Sequence, residues 1–295
     1  MRLKQILKSL LINNPRKANY KFVLKDWIPL FDLKYCAQVL ETKRFSRNLQ
    51  PIEMDHPHAD RILVIAPHPD DEIFGCGGAL IRSVQAGSQV HIVYLTDGSH
   101  RSHRKETIRE ESRLVCQTNG FDFTFLGWES GGIPLRDDEG VTQLAQWIET
   151  YRPECVFVTF LLDDHDDHRR ASELLMQVIS DCRWKPREIW AYQIYTTVIP
   201  NVVVNITSVI DEKKMSMQLY KNVQGERDWA HYIVGLNAFN CRYISSREPF
   251  YVETFFVVPT EEYYALCNLY FSADHKNVYY SNPYRGESSS EHYRA

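Results

Sequence analysis

The sequence predicts an α/β domain, a Rossmann-like three-layer sandwich around a mostly parallel sheet. From Arg61 onward, short apolar runs rich in β-branched residues recur, and each is followed by a segment of helical character too long for a hairpin turn. Five such runs separated by four helices require crossover connections, which build parallel sheets with helices on both faces.

The first run is Ile62-Leu63-Val64-Ile65-Ala66, apolar throughout as a buried parallel strand must be. Asp70 or Asp71 can cap the helix that follows, Ile73, Ala79, Leu80, Ile81 and Val84 supply its apolar content, and Gly87 stops it. Strands are then expected over 90–95, 121–126, 155–160 and 189–195, with helices over 105–118, 141–151 and 169–179. The later third is less regular: 202–206 reads as a strand, 211–220 and 228–241 as helices, and 251–258 as an apolar segment of unassigned sheet position. Residues 61–280 are thus the main domain, 1–60 an N-terminal extension packed on or docked beside it, and 281–295 a polar tail.

A chain of 295 residues with 44% hydrophobic side chains can bury a core without disulfides. Its seven cysteines contain no CxxC pair and form no disulfide framework, as in a reducing, cytoplasmic compartment. No apolar stretch is long enough to span a bilayer. The net charge of −4 is too balanced to indicate a nucleic-acid partner, but it is unevenly spread. Residues 1–48 carry +8, leaving −12 for the remainder. The basic arm, with Leu3, Ile6, Leu7, Leu10 and Leu11 near helical spacing, reads as a peripheral helix or as a foot on the inner membrane surface or a partner. Oligomeric state is left open.

In a parallel sheet, ligands collect beyond the carboxyl ends of the strands, where connections diverge. Two polar clusters fall there. His68-Pro69-Asp70-Asp71-Glu72 follows the first strand, and Asp163-Asp164-His165-Asp166-Asp167-His168 follows the strand ending near Phe160. The acids of the first could simply cap a helix, and the second could be a solvated loop. Their common sheet edge favours convergence on one ion. Two imidazoles and one carboxylate, drawn from His68, Asp71 and His168, suit Zn2+ and leave a position open for water. Asp70 then remains as the base, His165 as an imidazolium stabilising an oxyanion, and Asp167 as the group holding that imidazole. Gly75-Cys76-Gly77-Gly78 lacks the GxGxxG pattern and lies inside the helix, which points to close helix–sheet packing instead of a dinucleotide. His100 and His231 stand without partners in sequence and read as ordinary polar residues.

At these residues the chain resembles the PIG-L/LmbE-like superfamily of zinc-dependent N-acetylglucosaminyl deacetylases. The family's Ala-His-Pro-Asp-Asp-Glu motif corresponds to Ala66-Pro67-His68-Pro69-Asp70-Asp71-Glu72, with Pro67 inserted, and its His-Pro-Asp-His motif to His165-Asp166-Asp167-His168. The likeness extends over roughly 61–260 and implies a hydrolase that removes an N-acetyl group from an amino sugar or glycoconjugate, in cell-surface polysaccharide or glycolipid synthesis. It implies zinc ligands His68, Asp71 and His168, general base Asp70, and His165 beside the tetrahedral intermediate. Arg109 is implied as a substrate contact, or it is a surface arginine; Trp128 can stack on a sugar ring or shield the core; Glu253 can orient a hydroxyl or pair at the surface. Asp166 stands where the family has proline and Ser130 where many relatives have Asp. The alternatives are an inactive carbohydrate-binding or scaffold protein on the same fold, or an amidase for another N-acyl bond.

Overall fold

A computed structural model describes residues 51–98, 102–134, 139–223, 227–245, 248 and 250–272. The basic arm over 1–48, His100 and the tail over 281–295 lie outside the described residues. Residues 47–267 form one compact unit, which carries the sheet and every site residue below.

Eight strands form one sheet: β1 (Ile52–Met54), β2 (Arg61–Ala66), β3 (Gln89–Thr96), β4 (Asp122–Trp128), β5 (Cys155–Thr159), β6 (Glu188–Tyr192), β7 (Val202–Asn205) and β8 (Val252–Pro259). Their spatial order is β1-β7-β8-β6-β5-β2-β3-β4. All neighbouring pairs are parallel except β8 with β6 and with β7. Seven helices accompany them among the described residues: α1 (Asp71–Gln85), α2 (Ser102–Asn119), α3 (Glu139–Tyr151), α4 (Asp166–Asp181), α5 (Ile210–Leu219), α6 (Trp229–Asn240) and α7 (Thr260–Phe271). The elements expected from residue 61 onward are all present within a few residues. Two others carry no sequence expectation: α7, and the three-residue β1, which pairs with β7 inside the stretch read as an N-terminal extension.

The three-layer arrangement follows from strand geometry. Successive side chains point to opposite faces, and β2 is apolar on both. Ile62, Val64 and Ala66 join a core cluster with Ile73, Phe74, Ala79 and Leu80 of α1, while Leu63 and Ile65, equally buried, face the other layer. Helices α1, α2 and α6 each contact α5, whereas α3 packs with α4. No described helix is long and apolar enough to cross a membrane. The described cysteines are unpaired, five of the six being buried.

The glycines of α1 permit its close approach to the sheet, as expected. A Cβ on Gly75 would lie 2.2 Å from the Tyr192 ring, and one on Gly78 would lie 2.5 Å from Ile206. A buried ion pair secures the same helix. Lys213 on α5 donates to Glu253 on β8 at 2.6 Å, to the Phe74 carbonyl at 3.0 Å and to Asn237 on α6 at 3.0 Å. Glu253 in turn accepts the amides of Gly78 and Ala79, both at 2.8 Å. Gly78 and Phe74 are i and i−4 partners in a regular helix, so the ion pair engages both ends of one helical step.

Every donor of the Lys213 ammonium has an acceptor, so removing one partner leaves an uncompensated buried charge. Lys213→Met is therefore expected to lower unfolding free energy by about 3–5 kcal/mol in urea titrations; a change of well under ~1 kcal/mol, the range of surface pairs, would contradict this role.

Candidate metal centre

The site sits where the sheet's connections diverge. β2 has β3 on one side and β5 on the other, and chain order runs outward from β2 through β3 and β4 before returning to β5. This is the topological switch point of an open α/β sheet. Because β2 and β5 are parallel neighbours, with Ile65 beside Val158, the loops after them leave the same sheet edge side by side. Hydroxyls fix both ends: Thr96 donates to the Pro67 carbonyl at 2.9 Å, and Thr159 to the His168 carbonyl at 2.9 Å.

The two loops meet. Asp71 Oδ2 lies 3.3 Å from His68 Nδ1 and 3.3 Å from His168 Nε2, and it accepts the His68 amide at 2.8 Å. Ring centroids of His68 and His168 are 5.4 Å apart, and His165 stands 5.0 and 4.8 Å from them. A nitrogen from each of the three imidazoles can be chosen such that all lie within 4.8 Å of one another. His168 is fully buried, yet Nε2 makes no aligned hydrogen bond. A buried nitrogen whose facing carboxylate is out of hydrogen-bond alignment is costly unless something else meets it, and a cation between the imidazoles and Asp71 does so. The donor set, imidazole nitrogen and carboxylate oxygen, fits zinc.

The other nitrogen of each ring faces a carboxylate. His68 Nε2 is 2.9 Å from Asp167 Oδ2, and His168 Nδ1 is 3.0 Å from Asp163 Oδ1. Carboxylates in these positions fix the tautomer and the ring plane of ligating histidines. Asp163 also accepts the amide of His165 at 3.1 Å on one oxygen, and those of Ile194, Tyr195 and Thr196 at 3.1–3.4 Å on the other. Asp167 likewise accepts the amide of Gly131 at 2.7 Å, which the left-handed conformation of that glycine (φ 77°) directs towards it.

Three sequence expectations change here. Asp167 holds His68, not His165. His165 caps α4, its Nδ1 accepting the Asp167 amide at 3.2 Å, so that nitrogen carries no proton and the ring is neutral with its hydrogen on Nε2, not an imidazolium. Burial, with the fields of His168 and His68, pushes the same imidazole below its ordinary range. Glu253 is neither a hydroxyl-orienting group nor a surface acid; it is the buried partner of Lys213.

Asp70 does not spend its side chain on capping. It occupies the N-cap position of α1 in the left-handed region, φ 108°, with no side-chain cap bond. Such a conformation costs on the order of 1–3 kcal/mol for a non-glycine residue. Its carbonyl accepts from Ile73 and Phe74, and its amide donates to Glu72 Oε2 at 3.0 Å. Burial pushes the Asp70 carboxyl well above the usual range, and Asp71 and Glu72 add to this against the field of His168. Glu72 is itself raised to about 7, chiefly by burial, against the hydrogen bond from Tyr220 at 2.6 Å.

Arg109 reaches the same sheet edge without touching the histidines. It pairs with Asp97 at 2.8 Å and covers the Phe125 ring at 5.1 Å. Trp128 ends β4, half-buried, directly before the turn that carries Gly131. His231 is exposed on α6, outside the cluster. Sequence reading gave no role to Asp163; its complete burial within an acidic run carries no signature in spacing.

The described site defines a class: an α/β domain with two carboxylate-braced histidines and one aspartate gathered at a switch point. Residues 63–179 match the family described as PIG-L, GlcNAc-PI de-N-acetylase. Over those residues the chain is similar to the PIG-L/LmbE superfamily. A diacetylchitobiose deacetylase of Thermococcus kodakarensis is 26% identical over 193 residues, 57% of this chain and 72% of that one. A 4-oxalmesaconate hydratase of Pseudomonas putida is 25% identical over 58% of this chain and 76% of that one. A putative glucosamine-6-phosphate deaminase-like protein of Bacteroides thetaiotaomicron is 35% identical over 73 residues, 25% of this chain; the match spans only 10% of that protein's length. Among solved structures, the N,N'-diacetylchitobiose deacetylase of Pyrococcus horikoshii shares the fold, with a TM-score of 0.63 and 22% identity over 77% of this chain and 93% of that one.

Two outcomes follow for the metal-free chain. Burial would lower the His168 pKa, but Asp71 and Asp163 outweigh it and raise it to about 10, so the ring is protonated at neutral pH and a cation must displace that proton. Calorimetry at pH 7 in buffers of different ionisation enthalpy should show proton release on zinc uptake, with affinity rising as pH climbs towards about 10; heats independent of buffer would contradict this protonation. Asp163→Asn should weaken zinc binding by about 10–100-fold, measured against a competing chelator; unchanged affinity would remove Asp163 from the centre.

Proposed function

We propose that the chain is a zinc-dependent N-deacetylase acting on the linear amide of an N-acetylated amino sugar, with the ion held by His68, Asp71 and His168. The observation that carries this reading is the equal 3.3 Å approach of Asp71 Oδ2 to one nitrogen of each histidine, with Asp70 beside it and unspent on capping. The relatives named as deacetylases support the same chemistry.

When bound, the ion supplies a Lewis acid and brings the pKa of its water into the neutral range. The remaining work falls to the chain. Asp70 accepts the proton of the attacking water and returns it to the nitrogen as the carbon–nitrogen bond breaks, because an amide resists hydrolysis chiefly through its poor amine leaving group. His165 donates from Nε2 to the oxygen that gains charge, and does so as a neutral ring. Asp167 and Asp163 keep the two ligating rings from rotating. Acetate and a free amino sugar result.

This reading places the enzyme in polysaccharide or glycolipid synthesis, at the step that exposes an amine on an acetylated sugar. The hydratase relative makes water addition without acetate release the outcome to test against. Asp70→Asn should retain zinc at about one ion per chain while acetate release from N-acetylated sugars falls by about 10²–10⁴-fold. Undiminished release in that variant, or a wild-type chain that binds no zinc, would contradict the assignment.

A further inference from the structure

A run of three aromatic side chains begins beside the histidines. Tyr195, just beyond β6, stacks on both His165 and His168, with centroids 5.8 and 5.4 Å away and ring planes within 20° and 28° of parallel. Trp229, the first residue of α6, stands edge-on to Tyr195 at 5.5 Å, and Tyr232, one turn along the same helix, stands edge-on to Trp229 at 5.8 Å. Tyr195 and Tyr232 are about half exposed, at 50% and 55%.

The run is held in place from beneath. Asp163, which faces His168, also accepts the Tyr195 amide at 3.1 Å, and Asp228 caps α6 by accepting the His231 amide at 2.9 Å. An aromatic path therefore begins at the imidazoles and leads outward over α6, its inner end fixed by the carboxylate that braces His168.

We propose that Tyr195, Trp229 and Tyr232 form a stacking subsite for sugar rings adjoining the reacting N-acetyl sugar, so that the preferred substrate is an N-acetylated oligosaccharide and not a free monosaccharide. The inference rests on the deacetylase reading above. Pyranose rings present flat C–H faces to aromatic rings and hydroxyls at their rims, and two phenols and an indole N–H offer both kinds of contact. Because the path starts against the His165 and His168 rings, its occupant is continuous with the group that reacts; a separate protein or a lipid surface docked on α6 has no such requirement. Tyr195 lies just beyond β6 whereas Trp229 and Tyr232 share α6, far from it in sequence, so no spacing announces the path.

The test uses the full zinc-loaded chain with N-acetylglucosamine, N,N'-diacetylchitobiose and N,N',N''-triacetylchitotriose as probes. Trp229→Ala and Tyr232→Ala should each raise KM for the trisaccharide by about tenfold while leaving kcat and the monosaccharide kinetics within about twofold, with Trp229→Phe restoring the trisaccharide KM. Equal loss on monosaccharide and trisaccharide, unchanged trisaccharide KM, or a wild-type chain with no preference for the longer probes would overturn the subsite. Calorimetric binding of the trisaccharide separates the two readings. If wild type releases no acetate, the deacetylase reading fails, and the subsite stands if the trisaccharide binds and Trp229→Ala weakens it, or falls if it does not bind.

Discussion

Carboxylates on the far sides of two histidines hold this site together. Asp167 meets His68 and Asp163 meets His168, and each pair turns the opposite ring nitrogen towards Asp71. Imidazole rings could otherwise adopt several orientations. With both planes set by buried charge, the geometry that a cation needs exists before the cation arrives. The resulting fields explain the protonation pattern: burial alone would lower His68 and His168, but their carboxylates raise both, and the imidazoles in turn hold Asp71 below the ordinary range against its burial.

The same acids join the surrounding loops. Asp163 gathers three consecutive amides beyond β6, and Asp167 takes an amide from the turn beyond β4. Connections from four strands thus converge on two carboxylates, and the chemistry and the local backbone share one set of hydrogen bonds. The conformation of Asp70 belongs to this arrangement: a left-handed residue at the start of α1 persists because Glu72, itself bonded to Tyr220, accepts its amide. The sheet supplies the rigid edge, and the acids determine where the loops above it point.

Much of this was legible from residue order because it depends on local pattern. β2 and β5 are buried on both faces, so their runs are continuously apolar, and the motifs that follow them are contiguous in sequence. The switch point then follows from strand order. What was not legible depends on side-chain direction and on distant partners. In the run from Asp163 to His168, Asp163 and Asp167 are buried whereas Asp164 and Asp166 are exposed, a division that composition cannot show. Sequence proximity points Asp167 to His165, whose Nδ1 is instead occupied by a backbone amide, while the carboxylate meets His68. Glu253 finds Lys213 across 40 positions, and β1 is only three residues long.

In the proposed reading two imidazoles and a carboxylate hold the ion and His165 is left for the substrate, although all three imidazoles are close enough to share a cation. X-ray absorption at the zinc edge of the loaded chain, compared between wild type and His165→Ala, addresses this directly. The account predicts a mixed nitrogen and oxygen shell with two imidazoles, the same in both proteins. A three-imidazole shell in the wild type that loses one ring in the variant would contradict it.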